Sequence, residues 1–139
     1  MKNLRVACAL LVAAVLVGSV AGCQQVLYAP QYQTGTVSHF VVCYLKNKGN
    51  EADRKKLLDA RWELRKIKGV YDVECGPVLP NPSRPDVVVS DFDVAFLVIF
   101  RDVASYQAYE KDPAHVKMVE EVLKPLTSKV VVYDVTNQE

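Results

Sequence analysis

Asp93-Val94-Ala95-Phe96-Leu97-Val98-Ile99-Phe100-Arg101 is the stretch on which the fold turns. Val94, Phe96, Val98 and Phe100 fill one parity, and Ala95, Leu97 and Ile99 fill the other, with charges only at the ends. Side chains of a strand point alternately to opposite faces, so a strand that is apolar on both parities is covered on both sides. Residues 39–45 repeat the pattern, with Val41, Cys43 and Leu45 on one parity and Phe40, Val42 and Tyr44 on the other. Residues 129–135 repeat it again at the end of the chain, while residues 70–78 make a weaker strand interrupted by Gly76 and Pro77.

Between these strands the period changes. In residues 51–68, Leu57, Ala60, Leu64 and Ile67 recur at helical spacing, with Leu58 and Trp62 widening the apolar stripe. Arg54, Lys55, Lys56, Arg61, Arg65, Lys66 and Lys68 coat the rest, and Asp53, Asp59 and Glu63 interleave to pair them, which describes a solvated face. Gly69 ends the helix. Asp102 caps a short helix over 103–111, and Asp112-Pro113 opens another whose stripe is Val116, Val119, Leu123 and Leu126, with Pro125 helping to end it. Residues 46–50 read as a turn. Residues 79–91 hold Pro80, Pro82 and Pro85 and read as a long stiff loop, with Val87-Val88-Val89 as a candidate short strand, bordering a pocket mouth or a dimer seam. The order β-α-β-β-α-β is the ferredoxin-like arrangement of the α+β class, with sheet order 4-1-3-2. Its helices cover one face of the sheet only, so the apolar second face needs a further cover.

The first 22 residues belong to a different logic. Lys2 and Arg5 precede a charge-free apolar run over 6–17, and Gly18, Ser19, Ala21 and Gly22 lead to Cys23. A positive start, an apolar run of about a dozen residues and a small-residue cleavage site make a secretory signal peptide that is removed. Val20-Ala21-Gly22-Cys23 resembles a bacterial lipobox, which implies cleavage before Cys23 and lipidation there. The expected layout is signal peptide 1–22, lipidated Cys23 with a flexible tether over 23–37, a domain over 38–135 and a tail over 136–139. The expected location is the bacterial cell envelope, held by lipid; in a Gram-negative source, Gln24 after the cysteine favours the outer membrane, facing the periplasm.

Composition narrows the function. The 139 residues carry 17 Lys+Arg against 16 Asp+Glu, with no basic run, so a nucleic-acid partner held by phosphate contacts is not expected. Of 70 apolar residues 16 lie in the signal, which leaves an ordinary globular share for the domain. Of four cysteines, Cys8 leaves with the signal and Cys23 is lipidated. In sheet order 4-1-3-2, Cys43 and Cys75 stand two strand spacings apart, roughly 9–10 Å. A disulfide needs Cα atoms within about 7 Å, so both are expected as free thiols. Two histidines and two scattered cysteines make no expected metal cluster, and no cofactor is expected.

Four landmarks carry a family resemblance: Ser38-His39-Phe40-Val41-Val42; Asp91-Phe92-Asp93-Val94-Ala95; Tyr109 followed by His115 within Asp112-Pro113-Ala114-His115-Val116; and Val132-Tyr133-Asp134. Together they resemble the stress-responsive dimeric A/B barrel (Dabb) family over about residues 38–135. The resemblance implies a ferredoxin-like monomer whose sheet packs on a second copy, a homodimer closing an α+β barrel, and this supplies the missing cover. It also implies a match of Tyr109, His115 and His39 to the pocket tyrosine and two histidines of a plant polyketide cyclase in this family.

His115 is the third residue of a helix whose positive end disfavours imidazolium, while the Asp112 carboxylate opposes that effect. A neutral His115 suits a general base, with Tyr109 donating to a carbonyl or enolate and His39 completing the polar cluster. Three readings follow. The leading one is a non-catalytic, lipid-anchored dimeric module that binds a small hydrophobic ligand or acts in stress response, with the three residues as hydrogen-bonded core. The alternative is an acid–base lyase or cyclase using them, against which stands the envelope location, where acyl-thioester substrates are not expected. The last, implied by the wider superfamily, is a haem-binding or monooxygenase-like domain with His115 as axial ligand and Trp62 as a core residue.

Overall fold

The computed structural model describes residues 33–138; the signal peptide, Cys23 and most of the tether lie outside the described residues. The elements run β1 (Val37–Leu45), α1 (Glu51–Asp59), α2 (Arg61–Leu64), β2 (Val70–Pro77), β3 (Val94–Phe100), α3 (Val103–Glu110), α4 (Pro113–Met118), a π-helical turn (Val119–Leu123), α5 (Lys124–Leu126) and β4 (Thr127–Thr136). The strands form one four-stranded antiparallel sheet in the order β2-β3-β1-β4, which is the expected order read from the other edge. Helices pack on one face over a core that includes Cys43, Leu57, Leu64, Val73, Val94, Val98, Phe100 and Tyr109.

The sheet reaches further at its ends than the alternation suggests. β1 begins at Val37, and the preceding turn is tied down: Gly35 N donates to the Asn137 carbonyl (2.9 Å), and Asn137 N to that of Thr36 (2.9 Å). Thr36 is buried, so the chain enters the domain as part of the sheet. At the opposite end, Asp93 explains its own motif. Its buried carboxylate accepts from Leu45 N (2.9 Å) and Gly49 N (2.8 Å), stitching the start of β3 to the turn after β1.

The expected helix over 51–68 breaks at Ala60 into α1 and α2, but its stripe holds: Leu57, Ala60, Leu64 and Ile67 are buried. Trp62 does not join them. It is 50% exposed, with the Arg61 and Arg65 guanidiniums 4.3 and 5.6 Å from its ring centroid. At helical spacing it falls two residues from both Ala60 and Leu64, off the buried line. Ion pairs do line the outer face, among them Arg54–Glu51, Lys55–Asp59 and Lys66–Glu63. Gly69 turns at φ +94°, and a Cβ there would stand 2.8 Å from Ser105 Cβ, so both conformation and space ask for glycine.

In the last helical segment the expected stripe holds at Leu123 and Leu126, which pack on the core with Met118 and Val122, and at Val119, which lines the same interior, whereas Val116 is exposed. A π turn over Val119–Leu123 widens the inward face, so that Val122 joins Val119 and Leu123 there. Its cause is Pro125, which lacks an N–H and whose ring crowds the carbonyl four residues back. Lys46 Nζ then donates to the Lys124 and Pro125 carbonyls (3.0 and 2.9 Å), closing the helix end.

Val87-Val88-Val89 is not a strand. The N–H groups of Val87 and Val88 both reach the Arg84 carbonyl, forming a turn in the long loop. Cys43 and Cys75 are free thiols on strands separated by β3, and burial pushes the Cys43 thiol up to about 12.

Candidate functional site

A cavity of about 390 Å³ lies between the helices and the sheet. Val41, Phe96, Val98, Val130 and Val132 form its floor, and Leu57, Leu64, Met118, Val119 and Leu123 its roof. Its polar groups gather toward the end where the chain enters: His39, Tyr106, Tyr109, Glu110, His115 and Asp134. An apolar chamber with convergent polar groups is the usual form of a small-molecule site. Residues 79–91 line none of it, because that loop joins the far ends of β2 and β3.

His39 and Asp134 face each other across β1 and β4 as register partners, and Nδ1 of His39 stands 2.6 Å from Oδ1 of Asp134. Nδ1–H donating to the carboxylate holds the ring in one orientation and leaves Nε2 for another partner. The other carboxylate oxygen of Asp134 accepts from the Tyr106 hydroxyl (3.0 Å), which also lies 3.1 Å from Glu110 Oε1. Burial and these two carboxylates push the Tyr106 phenol up, so it remains a donor. Tyr106 and Glu110 reach one point because they are four residues apart on α3.

Tyr109 is almost wholly buried, and burial raises its phenol as well. Its ring stacks on His115 at 4.1 Å between centroids and packs on Phe100 at 4.8 Å. His39 lies 6.1 Å from the same ring, so the three residues singled out in the sequence share one cluster. His115 Nδ1–H donates to the Glu110 carbonyl at 3.4 Å. Its pKa lies below the ordinary histidine value mainly because it is buried, with the charge of His39 adding to the effect, while the Glu110 carbonyl and the Glu110 and Asp112 carboxylates oppose it. The sequence set the helix end against the Asp112 carboxylate; Asp112 does oppose the depression, and burial is its main cause.

Sequence reasoning missed Tyr106, Glu110 and the part played by Asp134. Asp134 sat inside a quoted landmark, and its role follows only from its position opposite His39 in the sheet. Among the described residues, no group of three or more His, Cys, Asp and Glu side chains is placed to hold a metal ion.

The family model described as the stress-responsive A/B barrel domain matches residues 37–137. The chain belongs to the Dabb family. A Dabb protein with a ferredoxin-like fold from Mesorhizobium loti is similar at 28% identity and TM-score 0.62, covering 76% of this chain and 100% of its own. A dimeric ferredoxin-like protein of unknown function from Thermobifida fusca shares the fold at 14% identity and TM-score 0.61, over 76% and 94% of the two chains. Hydroxynitrile lyase from Passiflora edulis does so at 18% identity and TM-score 0.63, over 77% and 97%. No curated protein matches the chain. The matched span includes the whole sheet and every polar residue of the Dabb cavity.

Proposed function

We propose that this Dabb protein is a lipoprotein anchored through Cys23 in the bacterial cell envelope, pairing as a homodimer and binding a small, largely apolar molecule with one polar end. In a Gram-negative source the anchor would sit in the outer membrane with the domain facing the periplasm. The observation that carries the binding reading is the cavity between helices and sheet: apolar walls, with His39, Tyr106, Tyr109, Glu110, His115 and Asp134 gathered at one end. Such a chamber favours an aromatic or alkyl body, and its polar end favours a carbonyl or hydroxyl head. The Val20-Ala21-Gly22-Cys23 motif behind a complete signal supports the anchor.

A second reading, acid–base catalysis, is favoured by one feature of the same cluster. A neutral imidazole at His115 beside a protonated Tyr109 offers a base and a donor together, and the His39–Asp134 pair fixes a second ring. Native mass spectrometry of the purified protein separates binding from an empty fold: a co-purified molecule below about 500 Da matches a cavity of this size, and an apo mass after gentle purification in several hosts sinks the ligand reading. His115→Ala then separates the two chemistries. Ligand retained with no candidate turnover lost supports binding alone, whereas a folded variant that binds but no longer converts the molecule supports catalysis.

A further inference from the structure

We infer that the end of the domain where the chain enters docks on an anionic bilayer surface through Trp62, Tyr71 and Val103 with the cations around them. The inference rests on the reading of Cys23 as the lipid anchor. Val37, Phe100, Val70 and Thr136 occupy one row across the sheet, so the start of β1, the start of β2 and the end of β3 all lie at this end. Tyr71 is the bulged residue at the start of β2, 47% exposed, with the Arg101 guanidinium 5.7 Å from its ring centroid. Val103, 45% exposed, opens α3 just beyond β3. Trp62 lies further along the same edge strand: on one side Arg65 donates to the Val73 carbonyl (2.8 Å) and pairs with Asp72 (3.1 Å), and on the other Arg61 reaches Cys75 Sγ (4.0 Å).

Two half-exposed aromatics, each with arginine against its ring, are the side chains that settle at a headgroup layer. The rings enter the apolar boundary, and the guanidiniums meet phosphates, which they bind in bidentate fashion. Charge supports an anionic surface. Arg65 is paired with Asp72 and Glu74, and the exposed Asp102 feels the charge of Arg101 beside it, but among the described residues no carboxylate lies within salt-bridge distance of Arg61, Lys68 or Arg101. The anchor makes a weak contact sufficient. Ten Cα–Cα steps separate Cys23 from Gln33, a reach of at most about 35 Å. A domain held that close meets the surface at high effective concentration.

Trp62 is the single tryptophan of the chain and reports its own environment. The test reconstitutes the lipidated full chain through Cys23 into phosphatidylcholine vesicles with and without phosphatidylglycerol, and reads Trp62 emission and its quenching by brominated lipid. The inference expects a blue shift and quenching with phosphatidylglycerol, both lost in high salt and in Lys68→Glu/Arg101→Glu, whose changes leave Arg61 and Arg65 on the indole. A chain that floats with the vesicles but keeps its solution emission overturns the docking surface and leaves the anchor standing. A chain that does not float overturns the anchor; docking is then judged on the Cys23→Ser chain titrated with the same vesicles, where an unchanged spectrum at low salt overturns it too. A shift that follows protein concentration without lipid assigns the patch to a second copy and likewise overturns the inference.

Discussion

His115 shows how one side chain carries a pH signature. Burial holds its pKa below the ordinary histidine value of 6.5, while the Glu110 carbonyl and the Glu110 and Asp112 carboxylates pull the other way and His39 adds to the depression. Between the depressed value and 6.5, the folded chain binds fewer protons at this site than the unfolded chain. The stability His115 contributes is therefore fully present above about pH 6.5 and is lost as pH falls through the folded value. Thermal melts of wild type and His115→Gln should diverge in slope: the wild-type Tm falls more steeply below that pH. Parallel curves would mean that His115 titrates as it does in an unfolded chain. The offset between the curves reports the lost stacking on Tyr109 and does not bear on the slope.

Elements are joined in this fold by single polar residues at their ends. Asp93 is the clearest, since its buried carboxylate satisfies the N–H groups of Leu45 and Gly49 at once. Asp93→Ala leaves the donors of a strand end and a turn without their acceptors, at a cost of about 2 kcal/mol. Urea denaturation should show a lower midpoint with an unchanged m-value. Asp93→Asn should recover part of the loss through its one carbonyl oxygen, and an alanine variant as stable as wild type would remove this role. The π turn before Pro125 belongs to the same scale. It places Val119 and Leu123 on the cavity roof, so a helix irregularity shapes the chamber directly.

The whole molecule presents two unlike faces. The helical face is covered, whereas the outer face of the sheet leaves Phe40, Tyr133 and Val135 exposed, with Tyr133 at 60%. The second copy proposed above would cover this face. A two-fold dimer is the commonest closed solution for such a surface. Sedimentation velocity at micromolar concentration should give a dimer for the unlipidated Cys23→Ser chain and a weakened one for Phe40→Glu/Tyr133→Lys. A wild-type monomer at that concentration would sink the homodimer.

Residues 93–101 determined the fold class by pattern alone, because a strand apolar on both parities with helices for one face only fits a layered sheet with a second cover. His39, Tyr109 and His115 were legible as a group because they fall in landmarks of a family pattern. Trp62 was misread as core because a stripe drawn on helical spacing tolerates a neighbour that the actual helix turns outward. Val87-Val88-Val89 is a candidate strand by pattern because three β-branched residues favour extension, and it is a turn in the fold because only an available partner lets a ladder form. Pairings across the chain belonged to tertiary structure alone. Asp134 meets His39 across 95 residues, and Tyr106 joins them only when α3 is laid over that end of the sheet. Local pattern reports which face a residue prefers; which partner it finds there depends on register, and register is set by the whole sheet.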